Sequence, residues 1–273
     1  MLIDAPTLVN ALHQGQTLPL CSLLDPVGGP PPEADDSAYI PVTQPFDIAT
    51  FSQADNPMPH TLLDPARFEI QARQLGLGRD RQLCVYDKIG VYSSPRAWFN
   101  LTLMGCREVQ LLDGGLPAWK AQGYPTQAAL DTLPTGDFEA QYRPEMLADQ
   151  QAVLAALGDP QTKIIDLRSA SRFAGLAPEP RSGLRSGHIP GSLNLPYTVL
   201  LENDRFQSLA FLQACFRDLG CRLDDTLIFS CGSGITACIG YFAASLCGYT
   251  QLKLYDGSWA EWGASPELPI SRH

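Results

Sequence analysis

Short apolar runs that end on a polar residue recur along this chain, each followed by a stretch with helical spacing. Leu83-Cys84-Val85-Tyr86-Asp87 and Leu227-Ile228-Phe229-Ser230-Cys231 are two such runs, and each reads as a buried strand arriving at its loop. Helical patterns come next in both places, from Ser94-Pro95-Arg96-Ala97-Trp98 to Gly105 and from Ile235-Thr236-Ala237 to Gly248. Ser94 and Pro95 suit an N-cap and a first helical residue, and the two glycines suit C-terminal stops. A further strand and turn follow, Leu111-Leu112-Asp113-Gly114-Gly115 in one place and Leu254-Tyr255-Asp256-Gly257-Ser258 in the other. Six residues past each turn Asp stands a tryptophan, Trp119 and Trp262.

The spacing repeats as well as the pattern. Asp87 lies 26 positions before Asp113, and Cys231 lies 25 before Asp256. Upstream, Leu24-Asp25 matches Ile165-Asp166, and Tyr39-Ile40-Pro41 matches His188-Ile189-Pro190. Ordered similarity at four places indicates two copies of one α/β domain. Alternating strands and helices predict a mostly parallel sheet with helices on both faces in each copy. The expected boundaries are 1–125 for the first copy, a Pro-, Gly- and Thr-rich linker over 126–143, and 144–273 for the second. A helix from Pro144 to Leu157 is expected to open the second copy.

Composition narrows the class. Apolar residues make up 45% and charged residues 18% of 273, enough to build packed cores. No apolar run approaches the ~20 residues that span a bilayer. Met1 to Gln14 lacks the order of a secretory signal, so the cytoplasm is the expected compartment. The eight cysteines include no Cys-x-x-Cys pair, so free thiols are expected, with neither a metal site nor an organic cofactor. A formal charge of −10 disfavours nucleic acid and anionic membranes as partners. An anionic small substrate then requires a locally positive site.

One copy serves as a control for the other. Where the second has Cys231, the first has Asp87. Cys231 is followed by Gly232-Ser233-Gly234-Ile235-Thr236, a glycine-rich loop that runs into a helix and suits an anion-binding nest of backbone N–H groups. A cysteine there is expected to ionise readily and to open onto a cavity. Asp87 is followed by the bulkier Lys88-Ile89-Gly90-Val91-Tyr92, with no nucleophile. The other seven cysteines read as core residues in strands and helices, with Cys21 just ahead of a strand.

Those segments, together with Glu179-Pro180-Arg181, Gly187-His188-Ile189-Pro190-Gly191 and Asp256-Gly257-Ser258-Trp259, resemble the tandem-rhodanese sulfurtransferases over nearly the whole chain. Thiosulfate-preferring members carry basic residues in the loop; here it is neutral, as in the branch that uses 3-mercaptopyruvate. The resemblance implies two rhodanese-like domains, the first inactive, and a persulfide carried on Cys231 within the loop Gly232, Gly234, Ile235 and Thr236. It implies that Arg172 and Arg181 hold the donor's carboxylate and carbonyl. Both lie in a stretch that is longer here than in the first copy: 22 positions from Asp166 to His188 against 14 from Asp25 to Tyr39. It further implies proton handling by Ser233 and by His60, the latter reaching over from the first domain. The family's acidic partner falls on Ala49, a departure that leaves either Asp47 or Asp55 as a substitute or the histidine without an orienting partner. The implied acceptors are a thiol, a thioredoxin-like protein or cyanide. His188 reads as structural, and His13 and His273 carry no signal.

Three rivals are distinguishable. A cysteine phosphatase needs an arginine six positions after its nucleophile, but position 237 is Ala237 and no basic residue lies between 231 and 252. A thiosulfate sulfurtransferase would differ in donor alone. A non-catalytic sulfur-relay module would show no turnover.

Overall fold

The computed structural model describes residues 1–24, 37–78 and 81–272; Asp25 and His273, which figured in the reading above, lie outside them. The chain divides into two compact units. One comprises Met1–Ala54, Leu62–Arg143 and Asn203–Phe206, and the other Asp55–Thr61, Pro144–Glu202 and Gln207–His273.

The first unit contains strands β1 (Leu2–Ile3), β2 (Thr17–Leu23), β3 (Gln44–Asp47), β4 (Gln82–Asp87) and β5 (Val109–Leu112), with helices α1 (Ala5–His13), α2 (Pro65–Gln74), α3 (Ser94–Leu103) and α4 (Gly115–Ala121). Its sheet order is β1-β5-β4-β2-β3, every pair parallel. The second unit contains β6 (Leu147–Ala148), β7 (Thr162–Asp166) and β8 (Leu193–Asn194), with α5 (Gln150–Ala155) and α6 (Ala170–Phe173). It continues with β9 (Leu201–Glu202) and, after β10 (Arg205–Phe206), which falls in the first unit, with α7 (Leu209–Asp218), β11 (Thr226–Ser230), α8 (Ala237–Leu246), β12 (Leu252–Tyr255) and α9 (Ser258–Trp262). Its sheet order is β6-β12-β11-β7-β8, again all parallel. The two sheets share one topology, and both have the near-continuous apolar central strands that coverage on two faces demands.

Register makes the repeat exact at the residue level. Leu83 pairs with Val109 at the start of β5, and Leu227 with Leu252 at the start of β12. Counting on four residues sets Asp87 opposite Cys231 in the superposed pattern. Trp119 and Trp262 are both buried, and their indole N–H groups donate to Pro125 O (2.9 Å) and Pro269 O (2.8 Å). Each closes its unit's core in the same way, by pinning the chain that follows the last helix.

Three local expectations are corrected. The stretch from Pro144 to Leu157 is not one helix: a 3-10 turn (Pro144–Met146) leads into β6, and α5 starts only at Gln150. Asp149 caps α5 by accepting from Ala152 N at 2.7 Å, as Asp4 caps α1, so each short edge strand must end where its cap begins. Cys21 lies within β2 and not ahead of it. The stretch expected to be a linker is strapped to the first unit, with Phe138 buried and Gln141 N and Arg143 N donating to Met104 O and Leu103 O. Among the described residues, no helix is long and apolar enough to cross a membrane, and no group of three or more His, Cys, Asp or Glu is placed to hold a metal.

Candidate active site

Cys231 is the first residue past the carboxyl end of β11, the place where open parallel sheets present their chemistry. Gly232, Ser233 and Gly234 bend away from it, Ile235 and Thr236 turn, and Thr236 immediately precedes α8. The next turn of the chain holds Cys231 from behind. Its N–H donates to Ser258 Oγ at 3.1 Å, its carbonyl accepts from Trp259 N at 3.0 Å, and Gly232 O accepts from Ala260 N at 2.9 Å.

The first unit shows what this loop geometry is suited to hold. Asp87, the register equivalent of Cys231, turns its carboxylate back into its own loop. It accepts from Tyr92 N (2.7 Å), Ser93 N (2.9 Å), Ser94 N (2.9 Å) and Ser93 Oγ (2.5 Å). Burial pushes this carboxyl up, and the hydrogen bonds from Ser93, Ser94 and Tyr92 work against that rise. Amides at a strand–loop–helix junction thus converge on a carboxyl group in the copy that has no nucleophile.

Four arginines lie between Asp166 and His188, and the structure sorts them. Arg168 is 2% exposed: its guanidinium bonds Asp166 (2.6 Å), Glu179 (2.8 Å) and Gly187 O (2.8 Å) and packs 4.3 Å over the Trp259 ring. Burial disfavours this cation, but Asp166 and Glu179 outweigh it and raise the guanidinium's pKa. Arg185 donates to the carbonyls of Trp262, Gly263, Ser265 and Leu268 and so clasps the C-terminal segment. Arg172, on α6, and Arg181, on the loop after it, turn instead toward the cysteine loop. A Cβ placed on Gly232 would lie 3.2 Å from Arg172 Nη2 and 4.0 Å from Arg181 Nη1. A side chain here would crowd the Arg172 guanidinium. The Arg172 side chain is 24% exposed and is braced by buried Glu179, Nη2 to Oε2 at 2.5 Å.

Solvent access departs from expectation. Cys231 is only 2% exposed, where a cysteine open to a cavity was expected. The turn at residues 258–260 closes one side of it, and the guanidinium groups stand over the adjoining Gly232. Ser233 and Ile235 are also buried, while Thr236 and Gly232 are partly exposed.

His60 is half-buried with φ of 61°, a left-handed conformation that histidine adopts more readily than most residues. Its segment, Asp55–Thr61, belongs to the second unit and not, as expected, to the first; a bridge between Ser52 and Leu62 pinches off the loop that carries it. Ala49 is exposed, and the carboxylate of Asp47 accepts from Ala49 N, Thr50 N and Thr50 Oγ within its own turn. His188 is buried, stacks on Phe173 at 3.9 Å and bonds Phe173 O through Nδ1 at 2.8 Å, a structural role. Arg168, Glu179 as a brace, and Ser258 escaped the sequence reading. Two arginines and an acid within 12 positions were the available signal for the first two.

The chain is similar to several known proteins. The family model for the rhodanese-like domain matches residues 50–122 and 149–265. A protein of Escherichia coli K12 named 3-mercaptopyruvate sulfurtransferase is 39% identical over 234 residues, covering 86% of this chain and 83% of that one. A chicken thiosulfate sulfurtransferase is 33% identical over 280 residues, covering 99% and 96%. The crystal structure of SseA from Escherichia coli, described as a 3-mercaptopyruvate enzyme of rhodanese fold, matches with a TM-score of 0.85 at 32% identity, covering 94% of this chain and 98% of that one.

Proposed function

The chain belongs to the rhodanese family as a tandem-domain sulfurtransferase, and from that premise we propose that it loads sulfur from 3-mercaptopyruvate onto Cys231 and passes it to a thiol. The observation that carries this reading is the pair of guanidinium groups, Arg172 and Arg181, beside the residue that follows Cys231. An α-keto acid offers a carboxylate and a carbonyl that such a pair grips with charge-assisted hydrogen bonds.

In this scheme the Cys231 thiolate attacks the donor's sulfur, and the carbon–sulfur bond breaks with its electron pair moving to carbon. The leaving group is the enolate of pyruvate, which departs only if its oxygen is stabilised as charge develops; Arg172 and Arg181 supply that. The enolate carbon then takes a proton, the task assigned to Ser233 and His60. Backbone N–H groups of Gly232 to Thr236 are assigned to hold the persulfide anion. A thiol, a thioredoxin-like protein or cyanide attacks the outer sulfur and restores Cys231. Domain one, lacking a nucleophile at Asp87, serves as scaffold.

Thiosulfate would leave as sulfite without needing a proton, and the loop between Cys231 and Thr236 carries no cation to favour it. Donor comparison tests the reading. Pyruvate release from mercaptopyruvate is expected to exceed sulfite release from thiosulfate, and Arg172→Ala and Arg181→Ala are expected to lower the former selectively. Equal loss with both donors, or a preference for thiosulfate, contradicts the assignment.

A further inference from the structure

The turn behind Cys231 contains a strained residue that its twin lacks. Ser258 has φ of 50° and is fully buried, one of five non-glycine residues with positive φ among those described. Its counterpart two positions past the turn Asp of the first unit is Gly115, with φ of 54°. Both units therefore place a left-handed residue at this one position, although the glycine before it differs, with φ of 75° at Gly114 and −59° at Gly257; glycine adopts that conformation without the ~1–2 kcal/mol that a side chain costs there. The unit without a nucleophile uses glycine. The unit with Cys231 uses serine.

What the strain is exchanged for is visible in the contacts. Ser258 Oγ donates to Tyr255 O at 2.8 Å, which fixes the hydroxyl's direction and leaves its lone pairs toward Cys231. The Cys231 N–H donates to that oxygen at 3.1 Å. Trp259 N and Ala260 N then hold the carbonyls of Cys231 and Gly232. The backbone is thus gripped immediately before and immediately after the carbon that bears the thiol. In the first unit a Cβ on Gly115 would come within 2.4 Å of Asp87 O and 2.6 Å of Gly90 O, so the loop there has closed onto a turn with no side chain. Serine at this position puts a hydrogen-bonded side chain where the first unit has none. Strain retained where the fold tolerates glycine is a mark of function.

We propose that Ser258 is a positioning residue for Cys231: its hydroxyl, held by Tyr255 O, fixes the nucleophile's amide and sets the direction of its side chain. This rests on Cys231 being the sulfur carrier. Ser258 does not touch the donor, so its effect falls on the rate of sulfur transfer at saturating donor and not on the half-saturating concentration.

The test is single-turnover persulfide formation with 3-mercaptopyruvate in wild type, Ser258→Gly and Ser258→Ala, alongside thermal unfolding and the pH profile of Cys231 carboxymethylation by iodoacetate. Glycine relieves the strained φ and alanine retains it, while both remove the hydroxyl. Both variants are expected to load about tenfold more slowly, the worth of one hydrogen bond, with half-saturation unchanged. Ser258→Gly is expected to unfold at a higher temperature than Ser258→Ala, so rate and stability part company. Wild-type loading in Ser258→Gly overturns the proposal, as does a loss confined to half-saturation, a rate that follows stability, or failure of both variants to fold. The alkylation profile needs no donor: an altered profile in both variants supports positioning even if mercaptopyruvate is not the substrate, and an unaltered one counts against it.

Discussion

Burial pushes the thiols of Cys21, Cys84 and Cys106 up to about 12 and those of Cys221 and Cys247 up to about 11. At about pH 8 these five are ionised to roughly one part in a thousand or less, and a thiol that is not ionised is not a nucleophile. Alkylation near that pH is therefore expected to leave these five largely unmarked, and Cys231, as the proposed sulfur carrier, is expected to take the label despite its burial. Because Arg172 and Arg181 flank Gly232, iodoacetate is expected to react about tenfold faster than iodoacetamide, as a charged contact of ~1.4 kcal/mol gives. Peptide mapping checks both points; label spread over the core cysteines, or indifference to reagent charge in wild type, contradicts them. Glu179 carries a second prediction at this scale. Its carboxylate is buried between Arg168 and Arg172, so Glu179→Gln leaves Arg168 short of a partner and costs about 3–5 kcal/mol in denaturant unfolding. It also frees Arg172 from its brace, and a raised half-saturating mercaptopyruvate concentration is expected.

The loops that follow β4 and β11 are built alike and are filled differently. Asp87 satisfies three amides and a hydroxyl of its own loop, so Asp87→Ala leaves several buried donors without an acceptor. A loss of about 3 kcal/mol or more in the stability of the first unit is expected, read by thermal unfolding. The elements themselves were largely legible: β4, β11 and β12 announce themselves as apolar runs, and α3 and α8 end just before Gly105 and Gly248, where the glycines placed their stops. Edge strands β1 and β6 were not legible, because two residues carry no periodicity. Leu2-Ile3 and Leu147-Ala148 become strands only by pairing with β5 and β12, over 100 residues away in sequence. The same reason hid the site's support. Cys231 could be picked out from a contiguous loop, but the Ser258 hydroxyl reaches it from 27 residues away and the bonds of Arg185 from about 80. Arg172 and Arg181 were suggested by family resemblance; residue type alone does not separate them from Arg168 and Arg185, and their surroundings do.

At the scale of the whole chain, a net charge of −10 coexists with four arginines between positions 168 and 185 of one unit. Duplication supplied two copies of one fold, and the longer segment after β7 in the second copy supplied the cations. On the proposed scheme a nucleophile alone is insufficient. The double variant Asp87→Cys, Cys231→Ser places a thiol at the twin position of the copy whose corresponding stretch, 25–39, contains no arginine, and no pyruvate release is expected from it. Turnover approaching wild type would contradict the role given to Arg172 and Arg181.

The most direct measurement is the intact mass of the protein after incubation with 3-mercaptopyruvate, taken with the pyruvate released in the same tube. Wild type is predicted to gain one sulfur atom and to release one pyruvate for each, and Cys231→Ser to do neither. A wild-type protein that gains no sulfur, or a Cys231→Ser protein that gains as much as wild type, would contradict the account.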